Sequence, residues 1–204
     1  LITDTSWKED ITLMTDNFLN LFDSYVKLAD SDIEFCKPYF EQCSVPKNSI
    51  VEEENRVPKH LYFIVNGFMR LFYYDGNGDE ITTHIVSPNR FLTSFTNFIH
   101  ETKSNENLEC ITNCELYKIE RSNLVYLIDK NENFKKLSLV IFEQSVATTQ
   151  IRANDFATLT AELRYKKLID HQPEIIQHVP IQYIASYLGI KPQSLSRIRK
   201  QIIK

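Results

Sequence analysis

Glycine is scarce in this chain, with four among 204 residues. A sequence so poor in glycine must make tight turns with Asn or Asp, which tolerate the left-handed backbone region, and Pro88-Asn89 and Thr112-Asn113 are placed to do so. No run of about 18 apolar residues occurs, which excludes a membrane-spanning helix. The first residues hold Asp4, Glu9 and Asp10 and no apolar core, so they do not read as a secretory signal, and the expected compartment is the cytoplasm. The spacings of Cys36, Cys43, Cys110 and Cys114 match no common zinc pattern, and disulfides are rare in that compartment. Buried, unreactive thiols are the expectation. His60, His84, His100, His171 and His178 are scattered, with no His-X-His for a cupin-like metal site and no haem signature, and Cys36 with Cys43 is too few for an iron-sulfur cluster. No metal, no cofactor and no catalytic residue is therefore expected. A cupin-like metalloenzyme with a helical tail stands as the alternative from another class.

One further absence is local. From Val179 to the end there is no acidic residue, while Lys191, Arg197, Arg199, Lys200 and Lys204 supply five positive charges. The whole chain is at −4, so residues 1–178 carry −9. A basic module on an acidic protein points to polyanion contact, since neutralised phosphates release counterions.

The same stretch reads at helical period as two short helices around Gly189. Ile184, Ala185 and Leu188 share one face of the first, and Pro192 suits the opening position of the second, where its missing N–H needs no partner. In the second, Leu195, Ile198 and Ile202 fall on one stripe. Gln193, Arg197, Lys200 and Lys204 fall on the opposite one, with Ser196 beside them. The spacing of Ile184, Ala185, Leu188, Gly189, Ile190, Leu195 and Ile198 resembles the helix-turn-helix pattern without a gap. The competing reading is an amphipathic hairpin whose tail binds only protein, leaving a ligand-binding module that does not touch DNA. Gln and Arg on the outward stripe favour the first, because both hydrogen-bond base edges in pairs.

Upstream, residues 9–43 carry helical periodicity, with Ile11, Met14, Phe18, Leu21 and Phe22 three or four apart. From Ile50 the pattern changes to short β runs. His60 to Tyr74 reads as two strands about Gly67, Asp75-Gly76-Asn77-Gly78 as a hairpin turn and Glu80 to Val86 as the returning strand. Leu108 to Ile111 and Glu115 to Ile119 add a further pair, and Phe91 to Asn107 reads as a short helix and loop. The sum is an α+β chain whose strands form an antiparallel roll. Asn133 to Arg152 then makes a long helix without Gly or Pro, with a seam of Phe134, Leu137, Val140, Ile141, Gln144, Thr148 and Ile151 that asks for a partner. Glu162 to Ile169 is a supporting helix.

A helix-covered roll, a long helix and a helix-turn-helix together resemble the Crp/Fnr superfamily of transcription regulators. Leu61 to Gly67 is similar to the strand that precedes a glycine in that family, and Asp75 to Glu80 to the hairpin that follows. The resemblance implies a β-roll sensor-like domain at residues 1–130, a connecting and dimerisation helix at 131–153 and a DNA-binding domain at 154–204. It implies a homodimer paired through the helix around 133–152 and bound to double-stranded DNA. Base reading falls to Gln193 and Arg197, at positions matching the family's readers, and Lys191, Ser194, Ser196, Arg199 and Lys200 are placed for phosphates. The family continues into a two-stranded wing, whereas this sequence stops after Ile202-Ile203-Lys204; either this branch works without the wing or the chain is shortened, and the wing's phosphate contacts are not carried over.

The family's phosphate cassette departs here. Laid without gaps, Thr93 stands for its glycine, Ser94 for its glutamate and Ser104 for its arginine. A hydroxyl does not replace an Arg paired with a phosphate, so a response to cyclic AMP is not expected. Either the pocket takes another small-molecule effector through Thr93, Ser94, Ser104 and Asn105, or side chains such as Phe68 and Phe95 fill it.

Overall fold

The strand His60–Asn66 (β3) is buried through Leu61, Tyr62, Phe63 and Ile64, and a strand covered on both faces needs a second sheet and a helical layer. Both are present. The structure is a computed structural model and describes residues 26 and 28–202. The periodic segment around Ile11 to Phe22 lies outside the described residues, as does Lys204.

Helix α1 (Asp30–Cys36) and a single 3-10 turn lead into β1 (Glu41–Val45) and β2 (Ser49–Glu52). After β3 come β4 (Met69–Tyr74), β5 (Glu80–Val86), β6 (Arg90–Leu92), α2 (Phe95–His100), β7 (Asn107–Cys110) and β8 (Cys114–Glu120). They form two antiparallel four-stranded sheets, ordered β1-β8-β3-β6 and β2-β7-β4-β5. The β4–β5 hairpin closes on the expected turn, where Asp75 Oδ1 accepts from the N–H groups of Asn77 and Asp79 at 2.8 and 2.9 Å. Asn48, Asn55 and Asn89 adopt positive φ, the work that scarce glycine leaves to asparagine. Gly67 at φ 94° is different, because a Cβ there would lie 2.5 Å from the backbone oxygen of Asn113. Only glycine lets β3 turn into β4 so close to the loop between β7 and β8.

Helix α3 (Arg121–Lys130) precedes the long α4 (Glu132–Thr158) of 27 residues. Asn131 caps α4, its side-chain oxygen accepting from the N–H groups of Asn133 and Phe134. The helix runs past Arg152, the end expected from its apolar spacing, because residues 153–157 contain neither Gly nor Pro. It stops where Leu159 turns extended and Thr160 caps α5 (Ala161–His171), accepting from Leu163 N–H.

The apolar seam read along α4 divides. Phe134, Leu137 and Ile141 are buried against Phe63, Phe98, Leu124 and Leu127, so this part packs on the roll. The seam's later members Gln144, Thr148 and Ile151 are exposed, and Leu139 (56% exposed), Val146 (66%) and Phe156 are further large apolar residues of α4 left facing outward. The expected partner-seeking seam is thus corrected in its first half. Periodicity places a residue on a helix face, but the roll decides which face it covers.

Helices α6 (Pro173–His178), α7 (Ile181–Tyr187) and α8 (Pro192–Ile202) complete the chain. Tyr165, Leu168, Ile175, Val179, Ile184, Ala185, Leu188 and Leu195 form their core, with Ile198 and Ile202 packed at its margin. Phe68, Ile85 and Ile111 of the roll join the same core, so roll and tail share apolar packing.

Candidate nucleic-acid interface and effector cavity

Helix α7 ends in a paired cap. Gly189 takes φ 68°, its N–H donates to Ser186 O at 2.9 Å, and Ile190 N–H donates to Ala185 O at 3.0 Å. That turn sets α8 across α7 with Leu195 fully buried between them. The opposite face of α8 is solvent-exposed and carries Gln193, Ser196, Arg197 and Lys200. Arg197 Nη2 rests on Ser194 Oγ at 3.3 Å, and Ser196 Oγ donates back to Pro192 O at 3.0 Å. Arg199 is half-buried beside the stripe. Of the expected DNA-facing residues, Gln193, Arg197 and Lys200 therefore form one outward line, while the two serine hydroxyls are engaged within the helix. Lys191 lies apart from that line, its ammonium 3.1 Å from Asp79 of the β4–β5 turn.

The helix pair sits on the free edge of β5. Ser186 Oγ accepts from Thr82 N–H and donates to Glu80 O, each at 2.8 Å. Arg152 bridges the carbonyls of Tyr187 and Thr82 at 2.7 and 3.1 Å. Beneath α7, Arg70 is 1% exposed, ion-paired with Glu80 and Glu109 and hydrogen-bonded to Thr82. Sequence reasoning missed this junction, since it joins stretches around residues 70, 80–82, 109, 152 and 186–187 that lie far apart in the chain.

A cavity of about 280 Å³ lies between the roll, α4 and the start of the tail domain, reaching Gln172 and Tyr187. Thr93 and Ser94 line it, and Phe95 borders it while meeting Phe142 edge-on at 5.8 Å. Ser104 stands behind Ser94, its Oγ donating to Ser94 Oγ at 3.1 Å. Asn105 is exposed and outside the lining. Phe68 corrects the expected pocket: it stacks on His178, with ring centroids 5.3 Å apart, and belongs to the core of the tail domain. The tight turn at Gly67 sends it there, with Phe68 N–H donating to Thr112 Oγ1 at 2.9 Å.

The residue that sequence reasoning missed in the cassette is Glu106. Its carboxylate accepts from Thr83 Oγ1 at 2.6 Å and approaches Ser94 Oγ at 3.0 Å, and it lines the cavity. An acid two residues beyond Ser104 was the available signal. His84 lies alongside, its Nδ1 3.3 Å from Thr83 Oγ1. Burial holds its imidazole below the ordinary histidine value, with Glu106 opposing and Arg152 assisting. A cyclic phosphate placed here would meet a carboxylate where a cation would be needed.

All four cysteines are free, and Cys36, Cys110 and Cys114 are buried. Burial pushes the Cys36 thiol up to about 12, as for an unreactive structural residue. Among the described residues, no three His, Cys, Asp or Glu side chains gather as a metal site, and no helix is long and apolar enough to cross a membrane.

Residues 42–131 match the family model described as cyclic nucleotide-binding domain. Among solved structures, the c-di-GMP responsive global regulator CLP of Xanthomonas campestris is 18% identical with a TM-score of 0.67, over 85% of this chain and 91% of its own. FixK2 from Bradyrhizobium japonicum is 15% identical with a TM-score of 0.67, over 80% and 84%. A crp/fnr family protein from Eubacterium rectale is 13% identical with a TM-score of 0.65, over 85% and 83%. No curated protein sequence matches significantly.

Proposed function

We propose that this chain, which has a cyclic nucleotide-binding domain and the fold of Crp/Fnr regulators, is a dimeric, sequence-specific DNA-binding transcription regulator that does not respond to cyclic AMP. The observation that carries the reading is the outward line of Gln193, Arg197 and Lys200 on a helix whose other face is core. No acid follows His178 in the sequence, so every charged side chain on α8 itself is basic. Gln193 and Arg197 read bases, since Gln pairs with adenine and Arg with guanine, and Lys200 with Arg199 holds phosphates. Lys191 joins them once its exposed pair with Asp79, worth little in water, opens.

Two readers are needed to span one turn of DNA, about 34 Å. Leu139 and Val146, seven residues apart on the solvent side of α4, offer the apolar surface for a two-fold pairing of copies. Such a regulator acts in the cytoplasm, and an effector entering the cavity would touch roll, α4 and tail at once.

The test is selection of bound duplexes from a random pool by the full chain, followed by titration on the recovered site. A two-fold motif is expected. Arg197→Ala should cost about 1–3 kcal/mol on that site and relax its preference, while Lys200→Ala should weaken all duplexes alike and reduce the salt slope by about 1. No salt-sensitive binding to any duplex would reassign the tail to protein contact.

A further inference from the structure

We propose that the cavity beside the altered cassette binds a small primary amine, with the Glu106 carboxylate as the anchor for its ammonium group and the Thr93 hydroxyl as a second acceptor. The proposal goes beyond the DNA-binding reading and does not depend on it.

The argument starts from what Glu106 lacks. A carboxylate has about four acceptor sites; the Thr83 hydroxyl occupies one, and Ser94 shares its single proton between Asn97 Oδ1 at 2.9 Å and Glu106 at 3.0 Å. No cation pairs with Glu106 among the described residues, although the group is partly withdrawn from water. A withdrawn carboxylate normally holds a charged partner, since an unpaired one carries a desolvation cost. The cationic neighbours are otherwise placed. Arg152 spends both terminal nitrogens on the carbonyls of Tyr187 and Thr82, and Arg90 is exposed at the margin of the cavity. His84, held towards its neutral form by burial, does not supply the missing charge.

The second observation is independent of charge. Thr93 is 1% exposed, lines the cavity, and its Oγ1 has no hydrogen-bond partner. A buried hydroxyl left unsatisfied costs about 1–3 kcal/mol and calls for an occupant. An ammonium offers three donors, enough for both oxygens of Glu106 and for Thr93 together. Apolar and aromatic walls from Phe91, Phe95, Leu92 and Ile141 stand beside polar ones from Asn97, Gln144 and Thr148, so the rest of the ligand is a compact body with one apolar side. A volume of about 280 Å³ lies just below the roughly 300–1,000 Å³ of drug-sized pockets, which limits that body to a ring or short chain. The site thus reverses the sign of the Arg and phosphate pairing: the protein supplies the anion and the ligand the cation.

The experiment measures binding to the full chain by ligand-observed NMR and calorimetry in the absence of DNA, so its result is separable from that of the duplex selection. The probes are benzylamine, its neutral counterpart benzyl alcohol, the anion phenylacetate, and cyclic AMP. Benzylamine should bind at least about tenfold more tightly than the other three, as one hydrogen bond to a charged group allows. Glu106→Gln keeps the side-chain shape and should remove that preference. Benzyl alcohol should bind wild type and Glu106→Gln within about twofold, reporting an intact cavity. Thr93→Val should weaken benzylamine about three- to tenfold. Tighter binding of phenylacetate or cyclic AMP, benzylamine affinity indifferent to Glu106, or no binding of benzylamine at all would each overturn the assignment.

Discussion

The guanidinium carbon of Arg70 lies 3.6 Å from the centre of the Tyr183 ring, so a roll arginine is seated under the first helix of the α7–α8 pair. Phe72 closes the other side, its ring centre 4.0 Å from the same carbon. Glu80 and Glu109 supply the counter-charge, and Glu109 is only 6% exposed. The stack therefore ties the roll to α7 through one buried cation.

Removing that cation should be costly in a particular way. Arg70→Leu leaves Glu109 buried without its partner, and a loss of about 3–5 kcal/mol is expected from equilibrium unfolding in urea. Tyr183→Leu removes the stacking and leaves the ion pairs, for a smaller loss of about 0.5–2 kcal/mol. Hydrogen exchange should show the Tyr183→Leu effect concentrated in α7 and α8. A loss under about 1 kcal/mol for Arg70→Leu would mean that Glu109 is satisfied without it.

Val146 tests the pairing of copies. It is 66% exposed on α4, so Val146→Asp should leave the protomer's thermal midpoint unchanged at high dilution. Sedimentation should show a dimer weakened by about 100-fold or more, since each copy loses roughly 1.5 kcal/mol of apolar burial and faces a like charge. An unaltered dimer constant would move the interface away from this face.

His84 gives the chain a pH dependence of known sign. Burial lowers its folded pKa below the ordinary 6.5, so below about that pH the unfolded chain binds more protons than the folded one. The stability due to neutral His84 is fully present above about pH 6.5 and is lost as pH falls through the lowered folded value. Urea midpoints should fall between about pH 7 and pH 5, and His84→Asn should flatten the part of that fall due to this residue. An identical slope in the variant would mean that another group governs it.

Two glycines should respond unequally to alanine. At Gly67 the new Cβ meets backbone, 2.5 Å from Asn113 O, whereas at Gly189 it meets the Phe156 ring at 2.6 Å. Both pay about 1–3 kcal/mol for positive φ, but a ring that is 41% exposed can turn aside and a strand connection cannot. Gly67→Ala should therefore show the lower melting temperature of the two.

The parts of this fold that were legible in the sequence are those whose partners are close in the chain. The Asp75 to Gly78 turn, the strands flanking it and the Ile184, Gly189, Leu195 spacing each describe a unit that closes within some twenty residues. What depended on distant partners was not. Leu137 and Val146 are both aliphatic on one helix, and only the roll determines that the first is covered and the second bare. Phe68 looked like a filler for the effector pocket until its neighbour Gly67 turned it towards His178. Glu106 showed in the sequence only as an acid two residues beyond Ser104, and not what it binds, because the hydroxyl that binds it most closely, on Thr83, lies 23 residues upstream.

Strand β5 ends its sheet, and the Ser186 hydroxyl stands where the backbone of a further strand would hydrogen-bond. Lifting α7 fully off the roll would strip Thr82 and Glu80 of those partners and present a bare ladder to any other chain nearby. The edge of β5 is thereby closed by one serine, and a copy that lost this mooring would expose it to strand-to-strand pairing.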